Sequence, residues 1–250
     1  VDADYDEAIE GLLARSAFHP EVEAAVAEIL EGVRAEGDAA VSSYARQFDH
    51  VALSPDEFQV SDADIEKAAA KTSAPVREAI ETACRQVQDF AAQRIPEPWS
   101  YSPRDGVELG DRFAPLSRVG AYVPGGTAPL ISTVVHTVAL ASIAGVGEIA
   151  VVTPPGLDGK INPALLFAAR CAGATEVYRL GGVYAIAALA YGTQTVRRVE
   201  KIVGPGNAYV TAAKRQVYGH VAVDLVAGPS EIMIIADDTA EATYIAADML

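Results

Sequence analysis

From residue 119 onward, short Val/Ile/Leu-rich runs alternate with helix-length segments, and this alternation constrains the fold more than any other feature. "VGAYVP" reads as a strand, "PLISTVVHTVALASIAG" as an apolar helix and "EIAVVTPP" as a strand. "NPALLFAARCAG" is helical, "EVYRLGG" a strand and "AIAALAYGT" helical again. "KIVGPG" (strand), "NAYVTAAKRQVYG" (helix), "VAVDLVAG" (strand), "EIMIIAD" (strand) and "DTAEATYIAADML" (helix) continue the series. Strands separated by helices predict βαβ crossovers and a parallel sheet. Their nearly unbroken apolar content predicts strands covered on both faces.

The first hundred residues have a different texture. "DEAIEGLLARS" and "EVEAAVAEILEGVRAEG" carry apolar residues at three- and four-residue spacing, and Gly37 ends the second helix. "DAAVSSYARQFD" begins another. "SDADIEKAAAKTS" opens on the cap Ser61, and "APVREAIETACRQVQDFAAQR" runs to Pro96 and Pro98. These are packing helices with acidic solvent faces. A polar link then leads to two strands in "VELGDRFAPLSRVGAYVP". The chain opens on Val1, and its acidic start lacks a secretory apolar core, so it reads as a trimmed segment.

Charge narrows the partners. With 19 Lys and Arg against 34 Asp and Glu, the formal net charge is −15. Such a surface repels phosphodiester backbones and anionic lipid, which argues against nucleic-acid and membrane partners. Apolar runs of membrane-spanning length are absent from the sequence. Cys84 and Cys171 form no CxxC pair and read as buried free thiols of a reducing, cytoplasmic compartment.

Three glycine junctions carry the candidate chemistry. Gly204-Pro205-Gly206-Asn207 joins a strand to a helix, where glycines admit a close ligand and the helix start offers N–H groups and a positive dipole end. The same residues make an ordinary turn capped by Asn207. Tyr209 stands where the dinucleotide fingerprint requires its third glycine. "VGAYVPGGTAPL" repeats the layout, with Tyr122 and Thr127 beside Gly125 and Gly126. "AGPSE" holds Ser230, which reads from the sequence alone as a turn hydroxyl. His19, His50, His136 and His220 are scattered and make no zinc motif. His136 falls in an apolar helix and reads as a core or interface residue.

Taken together, "VGAYVPGGTAPLISTV", "GGVYAIAALAYGT", "KIVGPGNAYVTAAKR" and "VDLVAGPSEIMIIAD" closely resemble histidinol dehydrogenases in order and spacing. The resemblance implies a zinc- and NAD-dependent homodimer that oxidises L-histidinol through L-histidinal to L-histidine. It implies two Rossmann-like, aldehyde-dehydrogenase-like parallel-sheet domains, one inserted in the other. Residues 1–118 would hold the helices and first part of the outer domain, about 119–229 the inserted NAD domain, and 230–250 the returning outer segment. By motif position, Tyr122, Tyr184 and Asn207 resemble NAD contacts and Ser230 a substrate contact. Catalytic residues and zinc ligands are expected beyond Leu250. Tyr184 replaces the glutamine usual in the family, and His136 and Leu140 replace methionine and proline. These departures keep open a relative acting on another small polar alcohol, such as a sulfonated diol. A non-catalytic nucleotide-binding or oligomerisation module is the reading from a different class.

Overall fold

The computed structural model describes residues 9–10, 19–125, 129–227 and 232–249. The chain divides into two units, residues 18–226 and residues 1–17 with 227–250.

In the larger unit, β3 (Arg118–Tyr122), β4 (Glu148–Val152), β5 (Glu176–Tyr178), β6 (Lys201–Val203) and β7 (Ala222–Val223) form one sheet. All neighbours run parallel, in the order β5-β4-β3-β6-β7. The predicted parallel sheet is therefore present. The chain moves outward from β3 to β5, returns to the other side of β3 for β6, and moves outward again. That reversal makes β3/β6 a topological switch point.

Side chains alternate across the strands, as the pleat requires. Ala121, Ile149, Val151 and Val177 face one core; Tyr122, Ala150, Val152, Tyr178 and Ile202 face the other. The first core is covered by α5 and α6 (Pro163–Ala172). Helix α5 runs Ile131–Val134 as α-helix, Val135–Ala139 as π-helix and Leu140–Ile143 as α-helix. The second core is covered by α7 (Gly182–Tyr191) and α8 (Ala208–Val217). Helix α7 is buried along almost its whole length, which explains its uninterrupted apolar sequence.

The N-terminal helices complete both outer layers. Helices α1 (Pro20–Glu36) and α2 (Asp38–Phe48) pack on α7, and α1 also on α8, while α3 (Asp62–Lys71) and α4 (Ala74–Ala92) pack on α6. The chain passes between the two faces along the outer edge of β5. There Val60 N–H donates to the Val177 carbonyl (2.8 Å) and Arg179 N–H to the Phe58 carbonyl (2.7 Å). The passing segment thereby satisfies an otherwise open sheet edge. Cys84 and Cys171 are free thiols; Cys84 is buried, and burial with the neighbouring Cys171 pushes it up to about 12.

Some local expectations are corrected. The polar link contains a strand, β1 (Trp99–Arg104), pairing antiparallel with β2 (Val107–Asp111) around Gly106, whose φ is +75°. β2 lies in the expected "VELGD" stretch, whereas β1 is exposed along its length, so no apolar alternation marked it. "VAVDLVAG" contributes only the two residues of β7; Asp224 follows, its N–H donating to the Ile202 carbonyl (3.1 Å) and its carboxylate accepting from Gly204 N–H. Residues 232–236, expected as a strand, have none. His136, expected in the core or at an interface, is exposed, which removes it from the core. In the smaller unit, α9 (Ala242–Met249) follows a turn in which Asp237 accepts from Thr239 N–H (2.9 Å). Most of "DEAIEGLLARS" lies outside the described residues.

The N-terminal ends of the strands carry an ionic network. Arg118, 5% exposed, donates to Glu148 (3.0 Å) and Glu176 (3.0 Å), and Arg197 donates to the same two carboxylates. Burial disfavours the Glu176 anion, but Arg118, Tyr178 and Arg197 hold its carboxyl at about 2 against an ordinary 4.5. A folded value below the unfolded one stabilises the protein fully above pH 4.5 and is lost as pH falls toward 2. The melting temperature is therefore expected to drop across that window, and Glu176→Gln to flatten the drop, in thermal melts taken against pH.

Candidate functional site at the switch point

Ligands of open α/β sheets bind outside the C-terminal strand ends at the switch point, because the two adjoining turns diverge there. Here those turns are "VPGG", after β3, and "GPGN", after β6. They meet directly. A Cβ on Gly204, whose φ is +114°, would stand 2.1 Å from the carbonyl oxygen of Tyr122. Only glycine permits that approach.

Gly204 is held at both ends of its peptide. Its N–H donates to Asp224 Oδ2 (2.8 Å), and its carbonyl accepts from Lys214 Nζ (2.8 Å). Lys214 and Asp224 also pair with each other, and Asp224 Oδ1 accepts from Leu225 N–H (2.7 Å). Lys214 is 4% exposed, so this cation lies inside the unit between α8 and the turn. Sequence reasoning missed this pair. The available signal was a lone lysine on the inward face of "YVTAAKRQV" and an aspartate interrupting an apolar run.

Asn207 does what its position suggests. Its Oδ1 accepts from Val210 N–H (3.0 Å), capping α8, while the residue stays exposed. Capping occupies the amide oxygen and leaves the NH2 group as a donor, so cap and ligand contact are compatible.

The other turns interlock with these. A Cβ on Gly125 would stand 2.3 Å from Pro154, and one on Gly181 would stand 2.5 Å from the same ring. Pro154 is thus wedged between the turns that follow β3 and β5. Tyr122 is buried, and its hydroxyl accepts from Gly182 N–H (3.2 Å), joining the end of β3 to the start of α7. Burial pushes its phenol upward, so it stays a neutral hydroxyl.

Tyr184, which by motif position resembles an NAD contact, is enclosed in the protein. The ring is 1% exposed, and its hydroxyl accepts from Gly181 N–H (3.1 Å) while donating to Asp49 at the end of α2. Burial and then the Asp49 carboxylate push this phenol well above its ordinary range. The ring lies beneath the turn, because α1, α2 and α7 enclose that face of the sheet.

Ser230 and Thr127 lie outside the described residues. Among the described residues, no group of three or more His, Cys, Asp or Glu is placed to hold a metal ion. None of their helices is long and apolar enough to cross a membrane. The switch-point turn fits a dinucleotide in offering a capped helix N-terminus with the exposed Asn207 NH2 as a polar donor. The described residues offer no corresponding donor set for zinc.

Comparison with known proteins gives a consistent picture. Residues 14–250 match the family model described as histidinol dehydrogenase. The chain is 46% identical over 236 residues to a histidinol dehydrogenase of Symbiobacterium thermophilum, covering 94% of this chain and 54% of that protein. It is 48% identical over 250 residues to one of Caulobacter vibrioides, covering 100% of this chain and 58% of the relative. A crystal structure of histidinol dehydrogenase from Elizabethkingia anophelis superposes with a TM-score of 0.84 at 37% identity, over 92% of this chain and 53% of that one. The chain thus spans about half the length of these relatives.

Proposed function

Since this chain belongs to the histidinol dehydrogenase family, we propose that it carries the NAD-binding part of an enzyme oxidising L-histidinol through L-histidinal to L-histidine. The observation that carries the reading is the packing of the "GPGN" turn, through Gly204, on the end of β3 at the β3/β6 switch point of a parallel sheet. Bound there, NAD supplies the hydride acceptor, while the protein supplies position and electrostatics. Residues 119–229 act as the cofactor domain, with Asn207 donating to the dinucleotide and Ser230 touching substrate. The complete protein works as a zinc-dependent cytoplasmic homodimer, with its zinc ligands and catalytic bases outside the described residues.

Tyr184, His136 and Leu140 gave the sequence its hint of another alcohol. Tyr184 is buried against Asp49, and the other two are exposed on α5, so no described contact turns them into a substrate pocket.

The test is NADH formation by the complete protein with L-histidinol, beside small polar diols. Turnover of histidinol, with two NADH formed per molecule consumed, supports the proposal. Turnover of a diol alone moves the protein to another substrate, and binding without turnover of either makes it a nucleotide-binding module. In the same assay Asn207→Ala is expected to raise the NAD KM about fivefold, the equivalent of one hydrogen bond near 1 kcal/mol. The lost cap should also cost about 1 kcal/mol of stability in denaturant titration.

A further inference from the structure

Two tyrosine hydroxyls hold consecutive backbone amides at the start of α7: Tyr184 accepts from Gly181 N–H and Tyr122 from Gly182 N–H. Gly182 has φ +55° and open space where a Cβ would stand. The peptide between them is therefore free on its outer side and pinned from beneath. A phenol that accepts from an amide still has its own proton to place, and the Tyr184 proton goes to Asp49, 135 residues earlier in the chain. Asp49 follows the last turn of α2, and its own N–H closes that helix on the Ala45 carbonyl. The carboxylate is thus fixed by α2, the hydroxyl by the carboxylate, and the turn by the hydroxyl.

We propose that Asp49 and Tyr184 are positioning residues of the cofactor site, acting through the Gly181–Gly182 turn rather than by touching the dinucleotide. This rests on the reading of the switch-point turns as the NAD site. The geometry for it is one-directional. Tyr184 is 1% exposed and its hydroxyl is spent between Gly181 N–H and Asp49, whereas the turn is packed through Pro154 against Gly125 beside β3. Removing the hydroxyl leaves Gly181 N–H without an acceptor and Asp49 without its donor, and frees the turn to shift. The carboxylate's role is to accept, so an amide at position 49 serves in its place.

The experiment uses the complete protein, with NAD affinity read by fluorescence titration and by the split between NAD KM and kcat. Tyr184→Phe and Asp49→Ala are each expected to weaken NAD about fivefold, the effect of one lost hydrogen bond, with kcat at saturating NAD and the histidinol KM retained. The double variant should be no weaker than either single one, because both break one network. Asp49→Asn, which keeps an acceptor oxygen, should recover most of the affinity, and it carries the comparison if Asp49→Ala fails to fold. Weakening by Tyr184→Phe with no effect of Asp49→Ala would put the hydroxyl on the cofactor itself and overturn the inference. Additive losses would overturn it too. Native affinity in Tyr184→Phe and Asp49→Ala, with Asn207→Ala impaired, would sink the positioning role but not the NAD site. Native affinity in all three would remove the NAD site from this edge.

Discussion

Gly204→Ala is expected to be among the most damaging single changes in this chain, costing about 3 kcal/mol or more and abolishing NAD binding by whatever protein still folds. The new Cβ would meet the Tyr122 carbonyl oxygen at 2.1 Å and its carbonyl carbon at 3.1 Å. Both are backbone atoms of a central strand, so no rotamer change relieves the clash. Backbone strain alone, at a φ of +114°, adds on the order of 1–3 kcal/mol. Relief requires β6 to separate from β3 where the cofactor would lie. Gly182→Ala is the control: its φ is also positive, at +55°, but nothing lies within 4 Å of the new Cβ. That variant should lose only about 1–2 kcal/mol. Denaturant melts of the pair separate steric closure from backbone strain, and equal losses would mean that the β3–β6 approach is not what position 204 protects.

Lys214→Met should cost about 1–3 kcal/mol, because the buried Gly204 carbonyl loses its donor while Asp224, left without its cation, remains partly open to solvent. Methionine fills similar space, so packing is nearly conserved and the loss is electrostatic. The Asp224 carboxylate would keep its bonds to Gly204 N–H and Leu225 N–H but lose its cation, and the Gly204 carbonyl would lose its donor. Lys214→Met with Asp224→Leu removes both charges, and should lose less than the sum of the single variants. It should not return to native stability, because both ends of the Gly204 peptide are then unpaired, at about 1–3 kcal/mol for each buried group. A double-mutant cycle in urea measures this coupling. A single-variant loss below about 1 kcal/mol would show that the pair behaves as an exposed salt bridge. Because the clamp holds the "GPGN" turn, NAD affinity should fall alongside stability.

Much of this architecture was legible because it is written in local patterns. Each buried strand is an apolar run, each helix has a three-to-four-residue period, and Ser61, Asn162 and Asn207 mark helix starts by capping them. The exposed strand Trp99–Arg104 escaped because exposure on both faces removes the alternation that announces a strand. Tyr184 shows the limit from the other side. Its position in "GGVYAIAALAYGT" places it beside a glycine turn, yet the direction of its hydroxyl depends on a carboxylate 135 residues away.

The sequence by itself determined that the chain builds a parallel sheet flanked by helices, with glycine turns at the strand ends. Those features follow from burying apolar side chains at the spacing of each element and from the backbone freedom of glycine. Tertiary structure alone decided the strand order β5-β4-β3-β6-β7, and with it which two turns became neighbours. It also decided that Asp49 would anchor Tyr184 and that Lys214 and Asp224 would clamp Gly204. Side-chain periodicity specifies which face of an element is buried but not which element it is buried against. Strand order and long-range polar pairs emerge only when the competing packings are resolved together.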